Sequence, residues 1–84
     1  MTAKVNDELL KIAEAAEPQQ VISVIVTITA GANLTALEQK GLKIQHTFES
    51  ISAVSGTLPA AGIRALSQLD EVERIEHDSK VQAL

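Results

Sequence analysis

The chain has 84 residues, a formal net charge of −4, 45% hydrophobic residues, one phenylalanine and no cysteine, tryptophan or tyrosine. That length supports one small domain whose core is aliphatic and uncrosslinked. The negative charge and the near absence of aromatic rings argue against nucleic-acid and anionic-membrane partners, because nothing attracts phosphates or stacks on bases.

Residues Met1 to Glu8 carry acid where an export signal needs an apolar run, and no segment is long enough to span a bilayer. A chain held in the cytoplasm is the expectation. Asn6 or Asp7 is placed to cap a helix whose apolar positions Leu9, Ile12, Ala13 and Ala16 share one face, ending before Pro18. A helix this short is marginal in water alone, so residues 1–20 read as an extension that docks on the domain, pairs with a second copy or frays; a docked or frayed extension is preferred.

Val21 to Thr29 alternates as a strand, with Ile22, Val24, Val26 and Ile28 inward, Ser23, Thr27 and Thr29 outward, and Ile25 an apolar spot on the outer side. Gly31-Ala32-Asn33 turns the chain into a short helix that buries Leu34 and Leu37 and ends at Gly41. A second strand runs from Leu42 to Phe48, with Leu42, Ile44 and Phe48 on one side. Glu49 and Ser50 lead into a third, Ile51 to Leu58, whose core side is Val54, Gly56 and Leu58. Pro59 suits the first turn of a helix that directs Ile63, Leu66 and Leu69 inward and closes at Asp70-Glu71. In the final strand, Val72 to His77, Val72 and Ile75 have opposite parity, so either Val72 belongs to the entry turn or a bulge intervenes.

The predicted fold is α+β: a ferredoxin-like βαββαβ sandwich, a four-stranded antiparallel sheet with two helices on one face, plus the short N-terminal helical extension. Residues 21–78 form the domain and 79–84 an extended tail. The uncovered sheet face would carry Ser23, Ile25, Thr27, Ala53, Ser55 and Thr57, a weakly charged surface suited either to docking or to plain solvation.

Chemistry is sparse. His46 and His77 show no ligand-like spacing to each other or to Glu76 and Asp78, and no metal or cofactor is expected. No Gly-x-Ser-x-Gly elbow, phosphate-cradling glycine loop or cysteine nucleophile is present, so the chain does not read as an enzyme. Asp70, Glu71, Glu73, Glu76 and Asp78 crowd the end of the chain, and such a cluster is ordinarily a solvated face. Glu76 and Asp78 differ in one respect: two apart on a strand, they point to the same side and can together accept hydrogen bonds from amides at helix N-termini. Beyond them, Ser79 to Leu84 has no turn or capping signal, and an extended segment of that kind adds readily to a partner's strand.

The run Ile51-Ser52-Ala53-Val54-Ser55-Gly56-Thr57-Leu58-Pro59, the helix pattern after it, the block Val72 to Asp78 with Ile75-Glu76-x-Asp78, and six further residues to the end resemble the subtilisin propeptides and the stand-alone subtilisin inhibitors of the same fold. The resemblance spans Val21 to Leu84 and leaves out the first twenty residues. It implies that Glu76 and Asp78 cap two parallel surface helices of a subtilisin-like serine protease, against which the open sheet face packs. It implies also that Leu84 enters the primary specificity pocket, Ala83 and Gln82 the next two subsites and Val81 the apolar fourth, leaving the terminal carboxylate beside the catalytic serine. The expected function is inhibition of such a protease by a product-like tail, from a chain expected to be monomeric. One alternative is a propeptide acting as an intramolecular chaperone; the other is a ferredoxin-like regulatory or assembly domain.

Overall fold

A computed structural model describes residues 4–78 of the protein. Helix α1, Asp7–Ala15, starts at Asn6, whose side-chain oxygen accepts the Glu8 amide at 2.8 Å, while Asp7 and Glu8 sit at the positive end of the helix dipole. Strand β1, Val21–Ile28, has Ile22, Val24, Val26 and Ile28 buried in strict alternation. Helix α2, Leu34–Gln39, is capped by Asn33, whose oxygen accepts the Thr35 amide at 3.0 Å, and Gly41 just beyond it takes φ 104, which a side chain would resist. Strands β2, Lys43–Phe48, and β3, Ala53–Pro59, flank a 3-10 turn at Glu49–Ile51. Helix α3, Ala60–Ser67, follows Pro59 directly, and strand β4, Val72–His77, completes the fold.

All strand pairs are antiparallel and the order is β2-β3-β1-β4, which is the ferredoxin-like arrangement expected of the pattern. One sheet face meets the helices. Val24, Val26, Val54 and Ile75 from the sheet share a single apolar cluster with Leu9, Leu37 and Leu66 from the helices, and each of these is almost wholly buried. The core is accordingly aliphatic.

The N-terminal helix is docked. Leu9 is fully buried, and Ile12, Ala13 and Ala16 pack against the same cluster, so the amphipathic face found in the sequence has the surface that a three-turn helix needs. Ahead of it, Val5 forms a parallel bridge with Ile75 on the outer edge of β4.

Two expectations about β2 and β3 are overturned. Ile51 does not begin a strand: it lies in the 3-10 turn, 63% exposed, and Ser52 reverses the chain at φ 51 before β3 starts at Ala53. A turn that ends in a left-handed residue is a common hairpin connection, and the Ser52 carbonyl is held by the Ile28 amide at 2.8 Å. Phe48 shares parity with Leu42 and Ile44 in the sequence, yet it lies on the other face of the sheet from Ile44, the open one. Ile44 pairs with Gly56 while His46 pairs with Ser55, which makes Gln45 an extra, bulged residue. Unbroken alternation from Ile44 would have sent His46 inward together with Phe48, and an imidazole in that apolar layer would need a partner of its own. With the bulge both rings lie outside, 6.3 Å apart between centroids.

The Val72–Ile75 ambiguity resolves the same way. Ile28 pairs with Val72 and Thr27 with Arg74, so Glu73 is the bulged residue and both apolar side chains reach the core.

Candidate functional site

Pairing across the sheet arranges the open face in rows. Phe48, Ala53, Thr27 and Arg74 form one; His46, Ser55, Ile25 and Glu76 the next; Lys43, Thr57 and Ser23 the third. Asp78 joins the third row, since its amide donates to the Ser23 carbonyl at 3.0 Å and prolongs the ladder one residue past β4. The middle of this face is low. Ala53 and Ser55 are buried without a covering layer, because their short side chains lie between larger neighbours on the flanking strands. What results is a shallow trough floored by small residues, with Lys43, His46 and exposed Phe48 along the β2 side and Arg74, Glu76 and Asp78 along the β4 side.

Glu76 and Asp78 therefore stand on the same side of an extended segment, both half-buried, as their spacing predicts. Glu76 has a neighbour that the sequence reading passed over: Arg74 Nη2 lies 3.0 Å from Glu76 Oε2. At 60% and 38% side-chain exposure the pair is a surface ion pair, worth at most about 1 kcal/mol, so it steadies the carboxylate without committing it. The signal was present in the i, i+2 spacing of opposite charges on one strand face.

The acidic cluster divides by role. Glu71 is structural, because its Oε2 accepts the Asn33 amide at 3.0 Å and its carbonyl accepts the Thr29 amide at 2.9 Å, tying the β4 entry to the turn before α2. Asp70 and Glu73 are exposed. The expected cleft residues Val81, Gln82, Ala83 and Leu84 lie outside the described residues. Among the described residues no group of three or more His, Asp or Glu side chains gathers as a metal site, and no helix is long and apolar enough to cross a membrane.

A family model, peptidase inhibitor I9, matches residues 4–84. The chain belongs to the peptidase inhibitor I9 family. Its members are inhibitors and propeptides of subtilisin-like proteases, so the partner class is a subtilisin-like protease and the family role is not catalytic. The I9 match starts at residue 4, and so takes in the N-terminal segment that the sequence resemblance left out. Comparison with curated proteins and with solved structures gave no significant match.

Proposed function

We propose that this I9 protein inhibits a subtilisin-like serine protease by seating the trough of its open sheet face on the protease body while Val81, Gln82, Ala83 and Leu84 occupy the active-site cleft. The observation that carries this reading is the placement of Glu76 and Asp78: both border the trough on the same side, and the chain runs from them directly into the last six residues. In this reading residues 21–78 are the docking body, 79–84 the inhibitory tail, and 1–20 an extension held to the body by Leu9, Ile12, Ala13 and Ala16. The two carboxylates accept hydrogen bonds from amides at helix N-termini of the protease, where the helix dipole favours negative charge. Leu84 fills the primary pocket, Ala83 and Gln82 the following two subsites and Val81 the fourth, with main-chain bonds supplying much of the hold. A propeptide would use the same surface; a native reading frame that runs past Leu84 into a catalytic domain would assign that role.

Replacing both Glu76 and Asp78 with Ala is expected to weaken the complex by about 2 kcal/mol, or roughly thirtyfold in the inhibition constant, taking about 1 kcal/mol for each lost cap. The comparison variant changes Asp70 and Glu73, which removes the same charge from exposed positions. Glu71 is unsuitable for that purpose because it supports Asn33. Equal weakening in the two double variants, each folded by circular dichroism, would assign the effect to net charge rather than to capping.

Phe48 makes a separate contribution. The bulge at Gln45 leaves this ring 42% exposed at the corner of the trough, and aromatic side chains buried at interfaces are frequent hot spots. Phe48→Ala is expected to cost about 1 to 2 kcal/mol of binding with little change in thermal stability. Ile51→Ala, equally apolar and more exposed but off the sheet, should cost almost nothing; calorimetric titration of both variants distinguishes a ring in the interface from general surface hydrophobicity.

A further inference from the structure

Strand β4 carries Glu76 and leads directly into Asp78, and it is an edge strand with β1 on one side only. It is also interrupted by the bulge at Glu73, just before the segment that matters. An edge segment following a bulge is the part of a sheet most ready to open, since half of its backbone groups have no strand to bond. Here the other edge is occupied. The Ile75 amide donates to the Lys4 carbonyl at 2.8 Å, and the Asn6 amide donates to the Ile75 carbonyl at 2.9 Å. Lys4 Nζ donates to the Leu69 carbonyl at 2.8 Å, fixing the same segment to the connection between α3 and β4. Asn6 then caps α1, and Leu9 anchors that helix in the core.

We infer that residues 4–16 form a strap that positions Glu76 and Asp78 for docking by holding β4 extended from its outer edge. Lys4, Val5, Asn6 and Leu9 are positioning residues, acting through Ile75 rather than on the partner. The inference rests on the reading that Glu76 and Asp78 meet the protease. Two carboxylates two residues apart converge on one side only while the backbone between them stays in strand geometry. If 75–78 frays, the competent fraction falls and apparent affinity falls with it in proportion. The strap keeps that fraction near one before the partner arrives, and ordering in advance is what lets a modest contact area bind tightly. It also covers backbone groups that would otherwise offer β4 to another chain's edge.

The test uses the whole 84-residue chain. Asn6 has φ −59, close to the value that proline imposes, so Asn6→Pro removes the amide that bonds Ile75 without demanding a new backbone conformation. Asn6→Ala removes the helix cap and keeps that amide. Amide hydrogen exchange followed by NMR should show Ile75, Glu76 and Asp78 exchanging about tenfold faster in Asn6→Pro than in Asn6→Ala, with the β1–β3 ladder changed equally in both. The inhibition constant toward a subtilisin should rise in Asn6→Pro by the factor by which exchange shows the closed fraction of β4 to have fallen, since affinity scales with that fraction. Lys4→Met, which loses the Leu69 bond and keeps the carbonyl that accepts the Ile75 amide, should give a β4-confined acceleration of about threefold and keeps the comparison available if the proline variant does not fold.

Exchange that rises uniformly through the sheet would reduce the strap to ordinary stabilisation and overturn the inference. So would unchanged inhibition by a variant in which exchange shows 75–78 open for most of the time. Failure of the unaltered protein to inhibit any subtilisin would instead remove the docking reading, and the exchange contrast would still decide whether the strap holds β4.

Discussion

Cutting the chain after Lys80 is expected to abolish competitive inhibition of a subtilisin while leaving weaker, measurable binding to the protease body. The two effects separate because the proposed surface has two parts. The trough and the carboxylates Glu76 and Asp78 provide the hold, and Val81 to Leu84 provide the obstruction. Tethering makes the second step intramolecular, so a four-residue tail of negligible affinity by itself faces the cleft at an effective concentration of about millimolar. Removing it should leave the cleft open, so that the truncated chain no longer inhibits hydrolysis of a small peptide substrate, while direct binding weakens only by the factor the tethered tail contributed, on the order of tenfold for so weak a tail. Leu84→Phe should preserve inhibition of an enzyme whose primary pocket takes large apolar groups. Leu84→Asp should impair it severely, because an unpaired charge would enter an apolar pocket. Full potency of the truncated chain, measured with the peptide substrate, would falsify the cleft mechanism and favour a ferredoxin-like regulatory or assembly domain, which has no use for those residues.

The sequence of strands and helices along the chain and most of the core were legible because each rests on short-range periodicity. Ile22, Val24, Val26 and Ile28 alternate without a break, and all four are buried. The errors cluster at β2 and the turn into β3, where periodicity fails for a stated reason: one inserted residue, Gln45, reverses the sides of everything after it. Apolar Ile51 read as strand because nothing in its own chemistry reveals that the reversal is completed one residue later, at Ser52. Val72 and Ile75 were legible as an inconsistency, and the bulge at Glu73 is its resolution. For the site, the common side of Glu76 and Asp78 followed from strand geometry. The Arg74 pair and the Lys4–Asn6 strap did not, the first because opposite charges on an exposed strand face need not pair, the second because a parallel bridge between positions 5 and 75 joins residues that no local pattern connects. Phe48 is the instructive case: parity groups it with Leu42 and Ile44, whereas the end of a strand beside an open sheet face is a place where an aromatic ring can stay outside.

The same stretch of β2 makes Gly56→Ala the substitution with the largest expected effect on stability. Gly56 sits in the middle of β3, opposite Val24 on one side and Ile44 on the other, so its strand cannot move away from both. A Cβ built there runs into the carbonyl of Lys43 and approaches the Ile44 Cα at 3.0 Å. These are backbone atoms of the neighbouring strand, and no rotamer change relieves them. Either β2 shifts outward and gives up ladder bonds, or β3 distorts against β1; overpacking of this kind costs about 3 kcal/mol. Domains have a total stability of about 5–15 kcal/mol, and one of this length belongs toward the lower end, so the loss is a large share of it. A drop in the melting temperature of roughly 12 to 24 °C is expected, using about 4–8 °C per kcal/mol. Gly31→Ala supplies the contrast, since Gly31 has φ 77 but no atom within 4 Å of a built Cβ, leaving only backbone strain of about 1–2 kcal/mol. A thermal melt in which Gly56→Ala is no worse than Gly31→Ala would mean that β2 does not press against Gly56.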